Sequence, residues 1–236
     1  MNKLFSVLAW LITLLTPLAL IGFGVRILMT PIFPNIEYRL PNFPPDDYGF
    51  TTQDRLKWGQ KGIDYLLNNA DISFLGDLKF DDGTPLFTER ELSHMHDVKV
   101  VVQGFLRVWY LDLLILILFG AWAWRGDWRA AYSLGLKRGG WLTLGLGALV
   151  GVIATFGAMG NGDVFWDFFA GFHSLFFTGD SWLFLYSDTL IRLYPLKFWE
   201  DAVLYIAIIS ALGALGLAFG LKVPTAQTHD GSHYEP

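Results

Sequence analysis

The chain has 236 residues, 53% of them hydrophobic and 17% aromatic, including 10 Trp and 20 Phe. That is too apolar for an ordinary soluble domain, so much of this surface must face lipid. The net charge of −5, with no basic cluster interleaved with aromatics, argues against a nucleic-acid partner, and the absence of cysteine removes disulfides, thiolate nucleophiles and Cys-based metal sites.

Crossing the hydrocarbon core takes about 20 apolar residues in a helix, and four stretches qualify. The first spans 1–30, with its apolar run from Phe5 to Met29. Lys3 precedes it as in a secretion signal, but the run is too long for a signal and no Ala-x-Ala-like site follows, so it reads as a retained anchor.

Residues 31–103 are expected to form a small mixed extracytoplasmic domain. Pro31, Pro34, Pro41, Pro44 and Pro45 predict an extended opening. Thr51 or Thr52 then caps a short helix with Leu56, Ile63, Leu66 and Leu67 on one face, ended by Asn68-Asn69. Ile72–Leu75 and Leu78–Phe80 lie close to the turn-prone Asp81-Asp82-Gly83 and predict one short hairpin. Thr88 with Glu91 makes a capping box that starts a helix at Glu89 and carries it towards the second span. On that helix His94 and Asp97 are three residues apart and share a face, so the carboxylate is placed to orient the imidazole or stabilise its charged form. His96 lies about 200° around from His94 and belongs to another face.

The second span is 104–124. The loop 125–140 carries Arg125, Arg129, Lys137 and Arg138 against the single acid Asp127, which places it in the cytoplasm. Both termini are then cytoplasmic, and 31–103 and 161–201 lie outside; both are acidic, as the rule allows. The third span is 141–160 and the fourth 202–221. Gly147-x-x-x-Gly151 and Gly216-x-x-x-Gly220 within them are read as packing motifs inside the monomer.

Between these spans, the run Phe165–Phe177 embeds His173 among aromatics at the lipid interface, where an ionisable group asks for an explanation. Trp166, Phe168, Phe169, Trp182 and Phe184 read as an ordinary aromatic belt. Residues 222–236, with His229 and His233, read as a disordered cytoplasmic tail.

Each candidate also has a plain structural reading: His94 as a surface histidine paired with Asp97, and His173 as an interfacial ring bonded to backbone. A metal set of His94, Asp97 and His173 is chemically allowed but lacks any His-Glu-x-x-His-like spacing, so no metal and no cofactor are expected. Ser93 and Ser174 adjoin histidines without a Gly-x-Ser-x-Gly elbow. Arg55, Arg90, Arg107 and Arg192 form no recognisable clamp and read as interfacial anchors.

The order of one span, an outer segment ending Leu86-Phe-Thr-x-x-Glu-Leu-Ser-His-Met-x-Asp-Val-Lys99, two spans, then Phe172-His-x-x-Phe-Phe177 and a last span resembles the bacterial lipoprotein intramolecular transacylases, called Lit. The likeness runs from Phe5 to about Leu221. The resemblance implies an all-α protein of the bacterial cell membrane with a catalytic site on its extracytoplasmic side. It implies transfer of the sn-2 acyl chain of a diacylglyceryl-cysteine lipoprotein to that cysteine's own amine. The partners are then the diacylated lipoprotein and membrane lipids. The family's two important histidines match His94 and His173, and Asp97, matching its His-Met-x-Asp-Val pattern, is expected to orient His94. Two other readings remain open: another outer-leaflet lipid acyltransferase or hydrolase, and a non-enzymatic scaffold or small transporter. Transport is disfavoured by the few polar residues in the spans, mainly Arg26, Arg107 and Asp112.

Overall fold

The computed structural model describes residues 3–158 and 163–224. His229, His233 and most of the expected tail lie outside the described residues. Everything described is helix or connection: α1 Lys3–Leu28, α2 Ile32–Glu37, α3 Thr52–Leu67, α4 Ser73–Gly76, α5 Glu89–Arg125, α6 Arg129–Ala158, α7 Val164–Phe176, α8 Thr189–Leu193 and α9 Leu196–Leu215, which runs into a π-helical turn, Gly216–Gly220. Helices α1, α5, α6 and α9 are long and apolar enough to cross a membrane.

The spanning helices pack through glycines other than those singled out in the sequence. A Cβ on Gly135 would sit 2.7 Å from the Ala9 carbonyl oxygen, and one on Gly139 would run into Thr16. Gly135-x-x-x-Gly139 is therefore the small-residue face that lets α6 approach α1 closely. Around Gly147, Gly151, Gly216 and Gly220 a Cβ would meet nothing. The reading of those four as packing motifs within the monomer is corrected: among the described residues, neither Gly147 and Gly151 on α6 nor Gly216 and Gly220 in the π-helical turn has a neighbour close enough to need a missing side chain.

The connection between α5 and α6 also departs from expectation. Only residues 126–128 separate them, and Arg129, Lys137 and Arg138 are helical. The reason is local. Trp128 is 2% exposed among Phe5, Phe119, Trp122 and Tyr132, so the chain reverses at Gly126 and is pinned there. The residues that follow are mostly good helix formers.

Outside the spans, α3, α4, the start of α5 and α8 share a core built from Trp58, Tyr65, Leu75, Leu86, Phe87, Met95, Leu190 and Leu193. Each large apolar side chain buried there contributes roughly 1.5–3 kcal/mol. The proline-rich opening is not wholly extended, because Ile32–Glu37 is helical. Pro31 precedes the first turn and Pro34 lies within it, where no intrahelical N–H is needed. The expected hairpin is half corrected. Ile72 leads into α4, with Leu75 fully buried, while Leu78–Phe80 pairs with Thr84–Leu86 through Phe80 N to Thr84 O and Leu86 N to Leu78 O, both 2.9 Å. Gly83, with φ +87°, makes the turn, and the Lys79–Pro85 bridge is the one strand-like pairing among the described residues. The region is thus helical rather than mixed.

Two of the four arginines are structural. Arg55 donates to the carbonyls of Pro44 and Arg192, and Arg192 pairs with Asp46 at 3.1 Å.

Candidate active site

Helix α5 has 37 residues, about 55 Å at 1.5 Å per residue, against a hydrocarbon core of about 30 Å. Its continuous apolar stretch begins near Gly104, so the turns that carry His94 stand clear of it. Their start is fixed by the expected capping box: Thr88 accepts from Glu91 N, and Glu91 accepts from Thr88 N at 2.8 Å. Glu91, 1% exposed, uses its other oxygen to accept from Leu190 N at 2.7 Å. The Thr189 hydroxyl donates to Leu86 O close by. These bonds fasten the segment between α7 and α9 across the first turns of α5, one turn from His94.

The same segment supplies walls. His94 is 8% exposed, with Phe177 and Phe184 packed edge-on against its ring at centroid distances of 4.8 and 5.3 Å. His173, on α7, lies against Phe169 at 4.0 Å and Trp182 at 4.7 Å. The two imidazoles face one another at 6.3 Å between centroids, inclined by 23°. That is wider than van der Waals stacking, and it brings both imidazoles within reach of one bound group.

The rings differ electrically. His173 Nδ1 lies 2.7 Å from the Phe169 carbonyl oxygen. Because that oxygen only accepts, Nδ1 carries the proton and Nε2 keeps the lone pair. His94 Nδ1 is buried without a hydrogen-bond partner. Burial first, then the neighbouring His173, pushes the His94 imidazole down to about 4, against an upward pull from Asp97. Burial also lowers His173, partly offset by its bond to Phe169. Both rings are therefore neutral at pH 7.

The remaining sequence candidates fall elsewhere. Asp97 pairs with His96 at 3.5 Å, both well exposed, and makes no hydrogen bond to His94. Its expected part as the orienting carboxylate has no contact behind it; only its charge reaches His94. Ser93 is exposed, and Ser174 is exposed with its hydroxyl given to Gly171 O. Among the described residues no three His, Asp or Glu side chains gather as a metal-binding group. The aromatic surroundings of His173 are legible in the run Phe165–Phe177, whereas Trp182 and Phe184 read from sequence as ordinary belt residues. A Phe or Trp at a membrane boundary carries no mark of which ring it will touch.

The sequence profile of the lipoprotein intramolecular transacylase Lit family matches residues 10–199. This chain belongs to the Lit family. Members are acyltransferases integral to the membrane, and both histidine segments fall inside the match. An uncharacterized protein of Aquifex aeolicus (strain VF5) is 31% identical over 229 residues, covering 94% of this chain and 95% of that one. The structure of the integral membrane lipoprotein intramolecular transacylase Lit from Bacillus cereus is 18% identical, with a TM-score of 0.64 over 92% of each chain, a likeness of fold.

Proposed function

We propose that this Lit-family enzyme moves the sn-2 acyl chain of a diacylglyceryl-cysteine lipoprotein onto the α-amine of the same cysteine, on the extracytoplasmic side of the cell membrane, leaving a lyso-form lipoprotein. The observation that carries the proposal is the pair of neutral imidazoles, from α5 and α7, facing each other inside an aromatic enclosure. The reaction needs a base for the amine's proton and an acid for the glyceryl oxygen, and imidazole suits both. An α-amine has a reference pKa of about 7.7–8.0, so a useful fraction is neutral at pH 7.

The environments of the two rings suggest a division of labour. His173, with Nδ1–H bonded to Phe169 O, presents Nε2 as the base. It takes the amine's proton as the C–N bond forms and returns it to the glyceryl oxygen as the C–O bond breaks. His94, too deeply buried to hold a charge, serves as a neutral donor to the ester carbonyl, where negative charge gathers in the tetrahedral state. Amine and ester belong to one molecule, so holding them together is worth up to about 7–11 kcal/mol of barrier. The walls of Phe169, Phe177, Trp182 and Phe184 exclude water, whose attack would hydrolyse the ester. Asp97 acts through its charge alone, by keeping His94 from becoming a still weaker base.

The test is expression in a bacterium whose lipoproteins remain diacylated, with mass spectrometry of lipoprotein N-termini for wild type, His94→Ala and His173→Ala. Wild type yields the lyso-form and both variants lose it. Persistence in both variants removes the two-histidine mechanism. No lyso-form from a well-expressed wild type removes this substrate.

A further inference from the structure

Of the four arginines marked in the sequence, Arg55 and Arg192 are bound to Asp46 and its surroundings, and Arg107 lies exposed on the membrane-spanning part of α5. Arg90 stands apart. It lies four residues before His94 and so on the same face of α5. Its guanidinium is exposed yet positioned, because Nη2 donates to the Asp180 carbonyl and the guanidinium carbon lies 5.5 Å from the centre of Phe184. Phe184 is one of the two phenyl rings packed edge-on against His94. A guanidinium has five N–H donors, and contacts among the described residues use one. The group is thus an oriented cation on the rim of the histidine site, with donors to spare.

Its position selects what those donors meet. Arg90 is about 6 Å farther from the apolar stretch of α5 than His94 is, at 1.5 Å per residue. In a diacylglyceryl-cysteine held at the histidines, the acyl chains run into the hydrocarbon and the polypeptide leaves on the opposite side. Arg90 is on the polypeptide's side. Through Phe184 it is within about 11 Å of the His94 ring centre, a distance that two to four extended residues span. Resting on the acyl-transfer reading above, we infer that Arg90 is a substrate-binding residue that holds main-chain carbonyls of the first residues after the acylated cysteine. Its remaining N–H groups can each donate to a carbonyl oxygen, and its seat on Phe184 and Asp180 reduces the entropy lost on binding. Main-chain carbonyls occur in every polypeptide, so the contact serves lipoproteins whatever their sequence.

The experiment uses full-length protein in detergent and two substrates: a diacylglyceryl-cysteine lipopeptide several residues long, and diacylglyceryl-cysteine methyl ester, which has no peptide beyond the acylated residue. Arg90→Gln raises KM for the lipopeptide about tenfold and leaves kcat within about twofold, the size expected for a lost hydrogen bond to a charged group. KM for the methyl ester stays as in wild type, and its turnover shows the variant to be folded. Arg90→Lys falls between. Unchanged KM values for both substrates overturn the role, as does an equal fall in kcat on both, which would place Arg90 in the chemistry or in the support of Phe184. Lack of turnover by wild type on both substrates overturns the acyl-transfer reading and this inference with it.

Discussion

Along α1, Ala9 and Ile12 have no exposed surface and Thr16 has 1%, whereas α7 has not one buried residue, although its His173 faces the site. The two helices hold their places by different means. α1 is gripped by α6 through close backbone approach at Gly135 and Gly139, an arrangement that tolerates no added atoms. α7 is held by ring contacts, chiefly those of Phe169, His173 and Phe177 with Trp182 and His94, and each such contact is worth little alone. The histidine on α7 is thus carried by a lightly attached element, whereas the close backbone packing belongs to spans that bear neither histidine of the site.

The largest effect expected from breaking this pairing is on the chemistry. His173→Ala and His94→Ala should each lower kcat by about 10²- to 10⁴-fold without lowering the melting temperature in detergent by more than a few degrees. Losses of folding instead of rate would show that the rings serve the fold. The frame comes next. Gly139→Val forces a branched side chain into Thr16 and should cost about 1–3 kcal/mol or more, seen as a drop of roughly 3–10 °C in melting temperature. Gly147→Val, with open space around it, should move the transition by about 1 °C or less. Equal shifts would refute the assignment of the tight face.

The pH profile separates enzyme from substrate. Burial holds both imidazoles below their usual 6.5, so lowering the pH inactivates them by protonation only beneath that value. Above it the rising limb belongs to the amine, and kcat/KM should climb about tenfold between pH 6.5 and 8. A flat profile over that range would contradict an amine nucleophile. The smallest change is Asp97→Asn. An exposed carboxylate paired with His96 is screened by solvent, so kcat should fall by less than about threefold; a loss like that of His94→Ala would restore Asp97 to the site.

How much of this could be read from the sequence depends on the distance over which each feature is decided. The start of α5 was legible because Thr88 and Glu91 settle it between themselves, and the spans were legible because lipid rewards composition. The stretch 31–45 was harder: five prolines suggested an extended path, yet two of them sit where a first turn accepts them. The meeting of His94 and His173 had no local signature. Resemblance pointed to both residues, but only the folded chain brings the rings to 6.3 Å. Asp97 shows the reverse case. Its spacing from His94 was right for a pair, and yet the carboxylate swings to the adjacent, solvated His96. The glycine motifs failed similarly, since spacing reports that two backbones can approach and the partner helix decides whether they do.

Glu91 ties two fates together. One carboxylate begins the helix that bears His94 and also anchors Leu190, six residues beyond Phe184. The helix that carries His94 and the stretch that carries Phe184 are consequently joined through one side chain, so Glu91→Ala removes the cap of α5 and the acceptor for Leu190 N together.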